Sequence, residues 1–212
     1  MHPNVRLILG SQSPRRKDLL DKMGLADRYE IIPSEFDEHL DEARSPGEVA
    51  EELGYGKALW VAERNPGAWV IGSDTIVTVD GKQLAKPVDV NEARAMLKML
   101  AGHRHTVTTS VALVCVEPTV KSENIIKHFI GHEEVSVYFK PYNDKLVEAY
   151  LASGDWHDKA GGYGIQSGAQ VLVDHIEGNY DTIVGLPTHL LAEFLNKIGI
   201  PSKPAAPKAA AN

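Results

Sequence analysis

Apolar positions recur along this chain in two rhythms, every second residue and every third or fourth. The switches between them predict strand, helix, strand, helix, and then a longer mixture of both. Val5–Leu9 is a short, mainly apolar run suited to a buried strand. Ser13-Pro14 follows as helix cap and first helical residue, with Leu19, Leu20 and Met23 on one face and Gly24 as the stop. Tyr29–Pro33 suits a second short strand, and Pro46 to Glu63 places Val49, Leu53, Ala58, Leu59 and Ala62 at helical spacing. Trp69–Gly72 reads as a strand running into Ser73-Asp74-Thr75, and Ile76–Val79 continues extended to the turn Asp80-Gly81. Val90–Leu100 carries Ala93, Met96, Leu97 and Leu100 on one helical face, with Gly102 beyond its end. Thr106–Val116 is β-branched and reads as a core strand, while Glu133–Phe139 alternates and pairs antiparallel with it. Asp144–Ala152 is a helix, Val171–Val173 a strand and Thr188–Ile198 a last helix. Glu117–Ile130 fits no motif and reads as a variable hairpin.

A length of 212 residues with 43% apolar and 24% charged positions suits one globular domain able to bury a proper core. No repeat or internal linker interrupts residues 1–200, so the prediction is a single α/β domain. Its mixed central sheet would be flanked by helices, with two lobes around a cleft. Residues 201–212 are mostly Pro, Ala and Lys without periodicity, the composition of a disordered tail. The formal charge of −7 argues against broad attraction to a nucleic acid polymer or an anionic membrane. No apolar run has the length of a signal peptide or a membrane span, which points to the cytoplasm. Cys115, the only cysteine, lies in the run Val111–Val116 and is expected to be a buried, inert thiol.

In an acidic chain, an anionic substrate has to be caught by local clusters of cations. Gly10-Ser11-Gln12-Ser13-Pro14-Arg15-Arg16 puts a short turn and two guanidinium groups at a helix start, an arrangement suited to anions. It lacks the phosphate-loop lysine pattern, and its plainer reading is a capped helix with two solvated arginines. Ser34-Glu35-Phe36-Asp37-Glu38, followed by Asp41 and Glu42, is either an acidic surface loop or a set of carboxylates sharing a cation. Asp74 follows an apolar strand, where a carboxylate enters the usual ligand crevice; it is a metal ligand, a general base or an Asx turn. Lys86 could return to the same crevice. His103 and His105 have zinc-like spacing but no third ligand nearby, so a turn entering the strand is the better reading. Asp158–Gly168 is rich in glycine, with Lys159 able to neutralise phosphate and Gln166 able to read a base edge; the alternative is a flexible loop. Val184-Gly185-Leu186-Pro187 reads as turn punctuation.

The order of these blocks carries more than any one of them. Ser-x-Ser-Pro-Arg-Arg, Glu-x-Asp-Glu, Ser-Asp-Thr, Lys-Pro, Gly-x-x-His-x-Val, Asp-Lys-Ala-Gly-x-Tyr-x-Ile-Gln and Gly-Leu-Pro resemble the Maf family of nucleotide pyrophosphatases from about Leu7 to Ile198. The resemblance implies a Maf/ITPase-like fold, commonly a homodimer. The reaction it implies is hydrolysis of a nucleoside triphosphate between the α and β phosphates, with Mg²⁺ or Mn²⁺ as cofactor. It casts Asp74 as base and metal ligand, Glu35 as the metal-supporting carboxylate, and Lys86 as a catalytic cation. Arg15, Arg16, Lys57 and Lys86 would contact the substrate's phosphates, Ser13 and Lys159 are further substrate-binding positions, and Arg15, Thr75 and Gln166 are tied to the choice of nucleotide. Pro-Arg-Arg, Asp-Thr and Ile-Gln are similar to the branch acting on dTTP and UTP, a house-cleaning role that extends to modified pyrimidine nucleotides. Thr182 and Thr109-Ser110 depart from the commoner Asn and Thr-Gly of the family. Two other readings stay open: the same reaction on a methylated guanine nucleotide, and a nucleotide-binding regulator of cell division or septation with little turnover. Which of Glu35, Asp37 and Glu38 meets the metal also stays open.

Overall fold

In the computed structural model, which describes residues 5–38, 44–119 and 124–205, eight strands of the described residues form one mixed sheet. Strand β1 (Leu7–Leu9) leads into helix α1 (Pro14–Leu20), which opens into a wider turn over Asp21–Leu25. Then come β2 (Glu30–Ile31), α2 (Pro46–Arg64), β3 (Trp69–Gly72), β4 (Thr75–Val79), β5 (Lys82–Leu84) and α3 (Val90–Leu100). The long strands β6 (Arg104–Glu117) and β7 (Ile125–Phe139) follow, then α4 (Asp144–Ala152), β8 (Val173–Glu177), α5 (Tyr180–Val184) and α6 (Thr188–Lys197).

β6 is the axis of the sheet. β7 runs antiparallel along one of its edges, and β8 lies beyond β7. On the other edge, β3 and β4 lie end to end. Gly72 pairs with Ala112 and Thr75 with Thr109, the same register on both sides of Ser73-Asp74. β1 and β2 extend the sheet in parallel beyond β3, and β5 closes a hairpin on β4. The two faces divide the apolar residues by parity, as a pleated strand requires. Ile8, Val70, Ala112 and Val114 pack with Ala58, Val61 and Ala62 of α2. Leu7, Leu9, Ile71 and Leu113 belong to the larger core with Leu19 and Leu20 of α1 and Leu191 and Leu195 of α6. Both faces are covered, which is why β6 is continuously apolar from Val111 to Val116. Cys115 is buried in it as a free thiol, and burial raises its pKa.

α2 lies unusually close to the sheet. A methyl group on Gly72 would press on the Gly54 carbonyl oxygen and stand 2.8 Å from the Ala58 amide nitrogen. A full capping box starts this helix: the Ser45 hydroxyl accepts from the Glu48 amide, and the Glu48 carboxylate accepts from the Ser45 amide.

Several boundaries differ from the sequence reading. β7 begins at Ile125, because its first residues are exposed on both faces and lose the alternation that marks Glu133–Phe139. The strand expected at Val171–Val173 starts at Val173 instead; Ala169–Val171 forms a tight helical turn, leaving Val171 exposed. α5 was unforeseen, a helix of five residues closed by Gly185 in the left-handed region (φ 115°). The segment expected to be disordered from residue 201 is ordered over its first part. Ala205 is buried, and its amide donates to Thr188 Oγ1, which in turn donates to Asp181. Residues 206–212, like Asp41 and Glu42, lie outside the described residues. No helix among the described residues is long and apolar enough to cross a membrane.

Candidate active site

The ten residues to which the family resemblance gives a role all line one cleft of about 820 Å³: Ser13, Arg15, Arg16, Glu35, Lys57, Asp74, Thr75, Lys86, Lys159 and Gln166. Thr75, Val77 and Val107 come to it from β4 and β6, Arg15 and Arg16 from the start of α1, and Lys57 from α2. The loop from Asp158 to Gln166 supplies a further wall, tied down where the Gly161 amide donates to the Ala85 carbonyl beside Lys86.

Asp74 is placed by a break in an otherwise continuous edge. The Ser110 amide still donates to the Asp74 carbonyl at 2.9 Å, but the Asp74 amide turns to the Ser110 hydroxyl at 3.2 Å. That hydroxyl donates onward to the Ala50 carbonyl of α2, so Ser110 ties the break to the helix. The close helix–sheet approach then lets Lys57 Nζ reach Asp74 Oδ1 at 2.6 Å and Glu38 Oε1 at 2.9 Å. Lys57 and Asp74 have side chains only 13% and 12% exposed, so this contact is far less screened than a surface pair. Burial works to raise the Glu38 carboxyl, but the hydrogen bond from Lys57 and the charges of Lys86 and Arg16 hold it below its ordinary value. Phe36 carries this loop onto α2: it lies over Gly56, where a side-chain carbon would collide with the ring, and packs against Val49, Leu53 and Ile76. Glu38 is therefore the carboxylate brought to Lys57, although Glu35 shares the cleft.

The arginine wall is fixed from an unexpected quarter. Arg16 Nε donates to the Gly185 carbonyl at 2.9 Å, the same oxygen that accepts from the Ser73 hydroxyl at 2.9 Å, and Arg16 Nη1 reaches Ser11 Oγ at 3.0 Å. Burial lowers the Arg16 pKa, an effect opposed by the Asp74 charge and reinforced by Arg15. Ser13 occupies the cap position of α1, yet its side chain caps nothing. Arg15 Nη1 pairs across the cleft with Asp158 Oδ2 at 2.8 Å.

The Maf-like protein family model matches residues 6–198. The chain belongs to the Maf family. Among its relatives is the dTTP/UTP pyrophosphatase of Symbiobacterium thermophilum, 42% identical over 92% of this chain and 95% of that protein. Proteins of the same name from Bacillus pumilus and Pyrococcus furiosus are 42% and 38% identical, covering 92% and 90% of this chain and 97% and 94% of their own.

In this Maf chain the far wall rests on aromatic groups that the motifs do not explain. Tyr163 lies on the cleft side, with its hydroxyl 2.8 Å from His105 Nε2; the two rings and Phe139 stack edge to face. His105 is 2% exposed, and its Nδ1 has no partner among the described residues, so burial drives its pKa down to about 4. The Tyr150 hydroxyl accepts from the Gly164 amide at 3.0 Å. The His103–His105 spacing makes no metal pair: His105 turns inward, while His103 stays outside near Asp80. Thr109 and Thr182 meet behind Thr75. The Thr109 hydroxyl donates to the Thr182 carbonyl at 2.7 Å, and Thr182 Oγ1 donates to Glu133 at 2.7 Å. Sequence reasoning left Glu38 undecided and gave Asp158, Ser73 and Gly185 no role. Their only hint was membership of the ordered blocks Asp-Lys-Ala-Gly, Ser-Asp-Thr and Gly-Leu-Pro.

Proposed function

We propose that this chain hydrolyses dTTP and UTP between the α and β phosphates, releasing the monophosphate and pyrophosphate. The observation that carries this reading is the Asp74–Lys57–Glu38 cluster in a cleft that Arg15, Arg16, Lys86 and Lys159 also line. A triphosphate needs several cations at once, while a water-activating carboxylate beside them is of no use to a simple binder. Relatives that carry the name dTTP/UTP pyrophosphatase match this chain over nine-tenths of its length, which supports the same pair of substrates.

A divalent cation fits the donor set. Among the described residues no three His, Cys, Asp or Glu side chains converge to hold a metal alone. Asp74 and Glu38, brought together by one ammonium, suit Mg²⁺ or Mn²⁺ taken up together with substrate oxygens, with Glu35 in reserve on the same wall. Such an ion, when bound, would offset phosphate charge and polarise the α phosphorus. Lys57 holds Asp74 through Oδ1, and the carboxylate takes the proton from water as the water oxygen bonds to the α phosphorus and the α–β bridge bond breaks. Lys57 keeps Asp74 aligned, and Arg16, locked on the Gly185 carbonyl, receives phosphate in one fixed pose. Gln166 presents an amide whose donor and acceptor complement the O–N(H)–O edge of uracil or thymine, an edge that modified pyrimidines can retain.

Pyrophosphate release from each common nucleoside triphosphate, measured with Mg²⁺ or Mn²⁺ and with a chelator, tests this reading. Release should be greatest from dTTP and UTP, vanish with the chelator, and fall about a hundredfold or more in Asp74→Asn. Orthophosphate as the direct product would refute α–β cleavage. Tight nucleotide binding without turnover would favour a regulator.

A further inference from the structure

Three cations of the cleft are already matched by protein carboxylates. Lys57 is held by Asp74 and Glu38, which the hydrolytic step explains. Arg15 and Lys159 are held by Asp158, which it does not: Asp158 Oδ2 accepts from Arg15 Nη1 at 2.8 Å, and Oδ1 accepts from Lys159 Nζ at 2.6 Å. Arg15 belongs to α1, and Lys159 to the loop on the other wall, so one carboxylate spans the opening. Lys159 is turned onto its own loop, with Nζ also donating to the Asp155 carbonyl. Its stem lies against Gly164, where a side-chain carbon would come within 2.5 Å of Cε. Two oxygens shared between a guanidinium and an ammonium are what a phosphate group would offer the same two cations.

We propose that Asp158 is a built-in competitor for the phosphate site. It neutralises Arg15 and Lys159 while the cleft holds no anion, gives way when a triphosphate binds, and returns as pyrophosphate leaves. This rests on the pyrophosphatase reading of the cleft. The Asp158 side chain is 60% exposed against 22% for Arg15 and 11% for Lys159. The carboxylate can therefore swing into water at little cost while the cations stay in place, and an exposed pair of this kind is a poor structural brace. Burial works to raise its pKa, but the hydrogen bonds from Lys159 and Arg15 hold it down to about 2. The competitor thus keeps its charge across the working pH range. A product as charged as pyrophosphate, facing several cations, would otherwise be slow to leave.

Titration calorimetry with inorganic pyrophosphate on the full chain, as wild type, Asp158→Asn and Asp158→Glu, tests the proposal without depending on turnover. Asp158→Asn should bind pyrophosphate about threefold to tenfold tighter, with Asp158→Glu near wild type. In steady state, product inhibition and KM for UTP should shift to lower concentrations by a similar factor. Unchanged or weaker pyrophosphate binding in Asp158→Asn overturns the proposal and leaves Asp158 to position the two cations. If wild type hydrolyses UTP and binds pyrophosphate but the variant does not differ, only the role of Asp158 falls. If wild type does not bind pyrophosphate at all, the reading of the cleft falls with it. Should Asp158→Asn fail to fold, Asp158→Ser carries the same test.

Discussion

Protonating His105 should unfold this protein more readily than protonating any surface histidine. The ring is 2% exposed, packed edge to face between Phe139 and Tyr163, with Nε2 on the Tyr163 hydroxyl and Nδ1 facing no acceptor among the described residues. A second proton would place a charge in that cluster with nothing to receive it. Burial alone therefore lowers the pKa from 6.5 to about 4. A difference of that size between folded and unfolded chains corresponds to about 3 kcal/mol. The folded pKa is the depressed one, so this stability is full above about pH 6.5, declines as the pH falls, and is gone near pH 4. Around pH 5 the unfolded chain holds nearly one more proton than the folded one, a slope of roughly 1.4 kcal/mol per pH unit.

His105→Gln removes the titrating group but keeps a polar side chain that can meet Tyr163. Urea unfolding of both proteins at pH 7, 6, 5 and 4, at constant ionic strength, measures the difference. The gap in unfolding free energy should change in favour of the variant by about 3 kcal/mol from pH 7 to pH 4, with the m-value unchanged. Parallel pH profiles for the two proteins would refute the reasoning, because they would mean that His105 titrates alike in both states.

Gly72→Ala should lose about 2 kcal/mol or more of stability by overpacking, because the new methyl meets α2 backbone rather than a side chain that can yield. Turnover should fall with it as Lys57 moves away from Asp74, and thermal melting beside UTP hydrolysis checks both. Gln166→Glu should narrow the preference for dTTP and UTP over purine triphosphates, with pyrophosphate binding retained; an unchanged substrate profile removes Gln166 from base recognition.

Much of the fold could be read from local pattern because parity and helical spacing report burial directly. α2 and α3 carry apolar residues at helical spacing, while β1, β3 and the Val111–Val116 part of β6 are unbroken apolar runs because both faces of the sheet are covered. Where burial is partial the signal fades. The outer half of β7 is exposed and reads as an irregular hairpin, and α5, with five residues, is too short to show a period. The tail is the opposite case: a composition that looks disordered, yet Ala205 finds a buried seat through a single backbone hydrogen bond to Thr188.

By itself, the sequence determined which groups this protein has for anion and metal chemistry and the order in which they occur, and it placed most of them beside strand ends or helix starts. It could not say which carboxylate meets which cation. Glu35, Asp37 and Glu38 are equivalent in a linear reading, and only Phe36 seated over Gly56 brings Glu38 to Lys57. Arg15 and Asp158 are 143 positions apart, and Arg16 and the Gly185 carbonyl that orients it are 169 apart. Hydrogen bonds and ion pairs are decided by separations of a few ångströms and by direction. A periodic pattern reports which face of an element is buried, but the partners across a cleft are set only when the elements pack.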